Sequence, residues 1–185
     1  MQKTPTIDAS VVIPVYNAEA TLRDVVQRTI AVLDSQFASY EIVLVDDGSV
    51  DRSWEVLSEL QAKYPHRIFA IQLMRNFGQH NALMCGLREV RGRLVVTMDD
   101  DLQTPPEEIP TLVQTIEEGN FDLVYGQYLH KRHEVWRNMG SKLVNVFYRM
   151  VFRSRIHVTS FRVLRYELAE RILPYDLNFT YLDGL

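Results

Sequence analysis

The sequence predicts an α/β protein built on a mainly parallel central sheet flanked by helices, and three observations carry that reading. Short runs of β-branched and aliphatic residues alternate with longer segments whose apolar residues recur every three or four positions. The connections between the strand-like runs are too long for hairpins, so parallel pairing with right-handed crossovers is expected. Three of these runs end in polar clusters, Tyr16/Asn17, Asp46/Asp47 and Asp99/Asp100/Asp101. A parallel sheet would gather them along one edge, the edge at which open α/β sheets bind their ligands.

Taken in order, residues 1–9 have no periodicity and read as a leader. Residues 10–15 form the first strand, and Pro14 inside it points to the strand's end or to a sheet edge. A helix over 19–33 follows, with Leu22, Val25, Val26, Thr29, Ile30 and Leu33 on one face. The second strand, 41–45, is continuously apolar after Glu41, as a strand covered on both faces should be. Asp51 is placed to cap the next helix, in which Trp54, Leu57, Ser58 and Leu60 face inward. Residues 68–74 give a third strand, and Arg75-Asn76-Phe77-Gly78-Gln79 leads into a helix over 80–90. The fourth strand, 94–98, runs into three aspartates and then Pro105-Pro106, which ends regular structure. Residues 106–118 form an amphipathic helix with Glu107 and Glu108 at its positive end, and 121–125 a fifth strand. No internal repeat, low-complexity tract or linker divides the chain.

Composition narrows the class. A chain of 185 residues, 46% apolar and 24% charged, is expected to be one soluble globular domain, or one and a fragment, with room for a sizeable core. Its single cysteine, Cys85, excludes an internal disulfide and a cysteine metal cluster, and its apolar neighbours mark it as a buried thiol. No stretch reaches the roughly 18 apolar residues of a membrane span, and the N-terminus lacks a signal-peptide core. The expectation is a cytoplasmic chain, soluble or peripheral at the inner face of a membrane. His80, His130, His133 and His157 stand without an H-E-x-x-H pattern or cysteine partners, so zinc is not expected.

Net charge is −4, but it is divided unevenly: residues 1–129 carry 10 Lys/Arg against 19 Asp/Glu, and residues 130–155 carry 7 against 1. The basic segment 131–155 also holds Trp136, Met139, Leu143, Val146, Phe147, Met150 and Val151 at helical spacing. It reads either as a helix packed on the sheet with solvated cations, or as an interfacial helix lying on an anionic membrane surface. Nucleic acid is not expected as a partner, because the rest of the chain is acidic.

The chemistry concentrates at 99–103. Adjacent carboxylates repel by about 1 kcal/mol or more per pair unless solvated or neutralised, and oxygen donors suit Mg²⁺ or Mn²⁺. Asp99 and Asp101 are the expected ligands, with Gln103 as a neutral one. Asp46 or Asp47 could accept a hydrogen bond from a base N–H or a ribose hydroxyl. The first strand is not followed by G-x-G-x-x-G and there is no Walker A sequence, so a bound diphosphate would be neutralised by metal and basic side chains.

Val12-Ile13-Pro14-Val15-Tyr16-Asn17, Val45-Asp46-Asp47-Gly48-Ser49, Arg75-Asn76-Phe77-Gly78-Gln79 and Met98-Asp99-Asp100-Asp101-Leu102-Gln103 with Pro105-Pro106-Glu107, in this order, resemble the family 2 glycosyltransferases. More narrowly the chain is similar to their polyprenol-phosphate branch, the dolichol-phosphate mannose synthases and the undecaprenyl-phosphate sugar transferases. The resemblance covers residues 10–165. It implies a GT-A-like fold with a Rossmann-like nucleotide-binding half at 10–129 and an acceptor- and membrane-proximal part at 130–185. It also implies metal-dependent, inverting transfer from a UDP- or GDP-sugar to undecaprenyl or dolichyl phosphate. Its nucleotide site would draw on Pro14, Val15, Tyr16, Asn17, Glu19, Asp46, Asp47, Arg75, Asp99 and Asp100. Its metal would be held by Asp99, Asp101 and Gln103, and its catalytic residues would be Asp99, Asp101 and Arg132.

The chain departs from the family pattern in places. Ala18 follows Asn17 where an acid is common, and Glu19 comes one later. Gly126-Gln127-Tyr128 stands where an arginine often follows the fifth strand, leaving Lys131 or Arg132 to substitute. The segment His157-Val158-Thr159-Ser160-Phe161-Arg162 lacks the acid many relatives carry, which favours a phosphate nucleophile over a hydroxyl needing a base. A saccharide hydroxyl as acceptor and a non-catalytic nucleotide-sugar-binding module are the competing expectations, and a homo-oligomer is compatible with any of them. Relatives commonly continue into transmembrane helices, and this sequence stops at Leu185.

Overall fold

The computed structural model describes residues 4–126 and 159–174. In chain order these form β1 (Ile7–Val15), α1 (Leu22–Gln36), β2 (Tyr40–Asp46), α2 (Ser53–Lys63), β3 (Ile68–Gln72), α3 (Gln79–Leu87) and β4 (Gly92–Thr97). A 3₁₀ turn (Pro106–Glu108) then leads into α4 (Ile109–Glu118), followed by β5 (Leu123–Tyr125), β6 (Arg162–Arg165) and α5 (Tyr166–Ile172). One sheet in the order β3-β2-β1-β4-β6-β5 holds all six strands. The first four are mutually parallel, and β6 enters antiparallel between β4 and β5.

Both faces of the sheet are covered. Alternate residues of β1 and β2, such as Val11, Ile13, Ile42 and Leu44, pack against Leu22, Val25, Leu57 and Ile116 of α1, α2 and α4. The other register, Val12, Val43, Val45 and Val95, packs against Leu83, Leu87 and Ala169 of α3 and α5. Each fully buried aliphatic contributes about 1.5–3 kcal/mol relative to exposure. The inward face of α1 is the predicted one: Leu22, Val25, Val26, Thr29, Ile30 and Leu33 are all buried.

The differences from the expected elements have local causes. β1 begins at Ile7, so residues 7–9 belong to the sheet: Asp8 and Ser39 exchange hydrogen bonds that start the β1–β2 pairing. Pro14 is not on an edge strand. β1 lies between β2 and β4, but its pairing with β4 ends at Val12, and Pro14's missing donor points to the side where that pairing is over. α1 starts at Leu22, three residues late, because residues 17–19 are tied to the β2–α2 loop. Asp51 accepts from the Ser53 N–H and hydroxyl at the start of α2, while Val56 rather than Ser58 takes the inward position. β3 stops at Gln72, leaving Met74 fully exposed, and β5 excludes Phe121, which is half exposed. The sequence did not suggest β6 or α5. The segment 131–155, Arg132 included, lies outside the described residues.

Candidate active site

The sheet's carboxyl edge is bound together loop by loop. Asp47, buried at the tip of β2, accepts the Phe77 N–H (2.7 Å) and the Gly78 N–H (2.9 Å) from the turn before α3. Gly48 makes that contact close: its φ is +68°, and a Cβ there would lie 2.4 Å from the Arg75 carbonyl carbon. The β1 loop is fastened to the β2 loop by Asn17, whose N–H donates to Ser49 Oγ (3.0 Å) and whose Oδ1 accepts the Val50 N–H (2.9 Å). Glu19 accepts the Arg52 N–H (2.9 Å), and Asp46, fully buried, accepts the Ser49 N–H (3.2 Å).

These loops surround an open cleft of about 420 Å³. Of the predicted residues, Pro14, Val15, Tyr16, Asp47, Asp99, Asp100, Asp101 and Gln103 line it. Asn76, Gly78 and Gln79 join them from the β3–α3 turn. Asn17, Glu19 and Asp46 are instead the loop fasteners just described, and the Arg75 guanidinium lies over the Phe77 ring, 4.9 Å from its centre. These four stand outside the lining. Among the described residues the lining includes no Lys or Arg.

The three aspartates at the tip of β4 face three different neighbours. Asp99 accepts Gln79 Nε2–H at Oδ1 (2.6 Å) and the Ser160 hydroxyl at Oδ2. Asp100 accepts the Tyr16 N–H (3.0 Å), and its carbonyl accepts the Thr21 hydroxyl (2.7 Å). Asp101 is exposed and, among the described residues, accepts the Gln103 N–H (3.0 Å), within a turn that holds Leu102 at φ +61° with its side chain against the core. Burial pushes the Asp99 carboxyl above its ordinary range, and the nearby Asp101 charge adds to the shift while Ser160 and Gln79 oppose it. Burial, then the charges of Asp99 and Asp101, push Asp100 up to about 6 against the Tyr16 N–H.

Desolvated, like-charged oxygens of this kind fit a hard divalent cation. Among the described residues no three His, Cys, Asp or Glu side chains converge as a ready cage. An ion here would take one or two carboxylates, Gln103 and ligand or water oxygens, as Mg²⁺ does in phosphate-handling sites. Sequence reasoning missed the support behind the turn. Arg162, 3% exposed, donates Nε–H to Thr97 Oγ1 (3.2 Å), and the Thr97 hydroxyl donates to the Ser160 carbonyl (2.5 Å). Burial, then the Arg162 charge, hold the His80 imidazole below its usual range.

Residues 10–173 match the family model described as Glycosyl transferase family 2. The chain is 50% identical over 137 residues to the undecaprenyl-phosphate 4-deoxy-4-formamido-L-arabinose transferase of Edwardsiella ictaluri, covering 74% of this chain and 42% of that protein. It is 47% identical over 146 residues to the enzyme of the same name from Shewanella sediminis, covering 78% and 44%. The chain therefore spans less than half the length of these relatives. Its fold is similar to S. aureus TarS (TM-score 0.66, 21% identity, 93% of this chain and 31% of that one). It is similar as well to the mannosyltransferase PcManGT of Pyrobaculum calidifontis, solved with GDP-Man and Mn²⁺ (TM-score 0.65, 21% identity, 92% and 48%).

Proposed function

Because the chain belongs to glycosyl transferase family 2 and has the GT-A fold, we propose that its cleft transfers a sugar, with inversion, from a UDP- or GDP-sugar to a polyprenyl phosphate. The observation that carries this reading is the meeting of Tyr16, Asp47 and the 99–101 turn around one cleft. Tyr16 offers an exposed ring at the mouth for the base. Asp47 keeps a lone pair on each oxygen beyond its backbone bonds, and these can accept a base N–H or a ribose hydroxyl. Asp101 and Gln103, with Asp99 beside them, would hold Mg²⁺ or Mn²⁺, which when bound supplies positive charge against the departing diphosphate. In a cleft whose described lining has no cationic side chain, that charge and a basic residue such as Arg132 are the means of neutralising the phosphates.

The acceptor follows from what β6 brings. Beside Asp99 stands the Ser160 hydroxyl. A saccharide hydroxyl would need a base to become a nucleophile, whereas a lipid phosphate is already ionised at neutral pH. The names of the bacterial relatives support the same acceptor. Among the described residues no helix is long and apolar enough to cross a membrane. In this reading the basic, apolar-striped segment 131–155 meets the anionic bilayer surface.

The test is product formation from a panel of UDP- and GDP-sugars with undecaprenyl or dolichyl phosphate. Asp101→Ala should lower turnover on the order of a hundredfold, the scale for removing one group that stabilises a developing charge. Unchanged turnover would remove the metal role. Nucleotide affinity with no product on any lipid phosphate would point to a binding module.

A further inference from the structure

Between β1 and β4 the winding of the sheet reverses: β2 and β3 are laid down on one side of β1 and β4 on the other. Open α/β sheets take their ligands at such a point. Backbone bonding across it ends early. Val12 and Thr97 are the last paired residues, and the Met98 N–H donates to the Val12 carbonyl (3.2 Å), whereas β1 runs on beside β2 to Val15. Pro14 has no N–H to offer β4. Past that fork both strand tips line the cleft, residues 14–16 from β1 and the 99–101 acids from β4.

Among the described residues, the hydrogen bonds that join the 99–103 turn to residues 13–21 end on Asp100. Its Oδ2 accepts the Tyr16 N–H (3.0 Å), and its carbonyl accepts the Thr21 hydroxyl (2.7 Å). The bond to Tyr16 fixes the peptide plane from which that half-exposed ring departs, and the next residue, Asn17, is held at φ +54° by Ser49 and Val50. Tyr16 is thus anchored on both sides. Asp100 supplies the anchor that reaches across the fork, and a carboxylate makes that bond stronger than a neutral acceptor would. We propose that Asp100, the middle acid of the turn, is a positioning residue: it ties the turn that carries Asp99 and Asp101 to the Tyr16 loop, and nucleotide affinity depends on it through the Tyr16 ring. The tie rests on the reading of this cleft as a nucleotide site.

The experiment measures the affinity of the full chain for UDP and for GDP with Mn²⁺, by calorimetry, in Asp100→Asn and Asp100→Ala. The two variants carry the same charge and differ in whether an acceptor remains for the Tyr16 N–H. Asp100→Ala should bind about fivefold more weakly than Asp100→Asn, the scale of one net hydrogen bond. That difference should vanish once Tyr16→Ala is added to both, because it acts through the ring. Hydrogen exchange at the Tyr16 amide, which needs no nucleotide, should be faster in Asp100→Ala than in Asp100→Asn by a similar factor. Equal affinities or equal exchange in the two variants overturns the tie. So does an affinity difference that survives Tyr16→Ala, since it would put Asp100 in contact with the ligand or its cation. These outcomes leave the nucleotide reading standing, whereas a wild type that binds neither nucleotide overturns that reading and the tie with it.

Discussion

Asp99, Asp100 and Asp101 are adjacent in the chain, yet one is clamped by Gln79 and Ser160, one is tied to the β1 loop, and one faces open cleft. Partners, not position in the run, decide what each can do. At the other end of the sheet Asp34 accepts the Tyr40 hydroxyl (2.8 Å) and Arg67 Nη1–H (2.8 Å). Burial, then the bond to Asp34, push the Tyr40 phenol from 10.0 up to about 12. The fold therefore keeps a proton that the unfolded chain releases near 10.0, so stability falls as pH rises from 10.0 to about 12. Tyr40→Phe should lose that part of the alkaline decline, read as the difference between wild-type and variant denaturation midpoints across the window. Equal slopes would show that the phenol is not shielded. At this scale the sequence revealed the acids but not their partners. Gln79 was visible only as part of a turn motif, and Ser160 and Arg162 lie some 60 residues from the turn they support.

The four βα units were legible because each helix buries one face at helical period and each strand is covered on both sides. β6 was not. Arg162-Val163-Leu164-Arg165 holds only two apolar residues, too few for a period, and its antiparallel place beside β4 is decided by tertiary pairing with residues 94–97. That insertion delivers Ser160 to Asp99, so an unreadable element completes the part of the site that the sequence left open. Thr97 is the link, donating to the Ser160 carbonyl and accepting from Arg162. Thr97→Val keeps the shape and removes both bonds, taking the hydroxyl from the part-buried Ser160 carbonyl and one acceptor from the buried Arg162 guanidinium. The expected cost is about 2–3 kcal/mol, with faster amide exchange in β6 than in β1. A loss below 0.5 kcal/mol, roughly the floor for one hydrogen bond, would show that β6 is held by its ladder alone.

Across the whole molecule the two edges of the sheet do different work. The carboxyl edge gathers desolvated like charges and a residue at positive φ, an arrangement that costs stability in the absence of a ligand. The amino edge carries a paired network. Glu41, 1% exposed, accepts the Ser10 hydroxyl (2.7 Å), the Arg91 N–H (2.7 Å) and Arg91 Nε–H (2.8 Å), and the Arg91 guanidinium lies over the Phe69 ring. That network joins β1, β2 and the start of β4 at the end away from the cleft. Arg91→Ala leaves the Glu41 charge buried with neutral donors only, for an expected loss of about 3 kcal/mol. Because among the described residues no cleft residue shares a hydrogen-bond partner with it, nucleotide affinity should be unchanged below the unfolding transition. Urea denaturation measures the first and calorimetry with UDP or GDP and Mn²⁺ the second. A loss of affinity in step with stability would mean that the edges are coupled through β1 and β2, and the view of the amino edge as a separate anchor would be wrong.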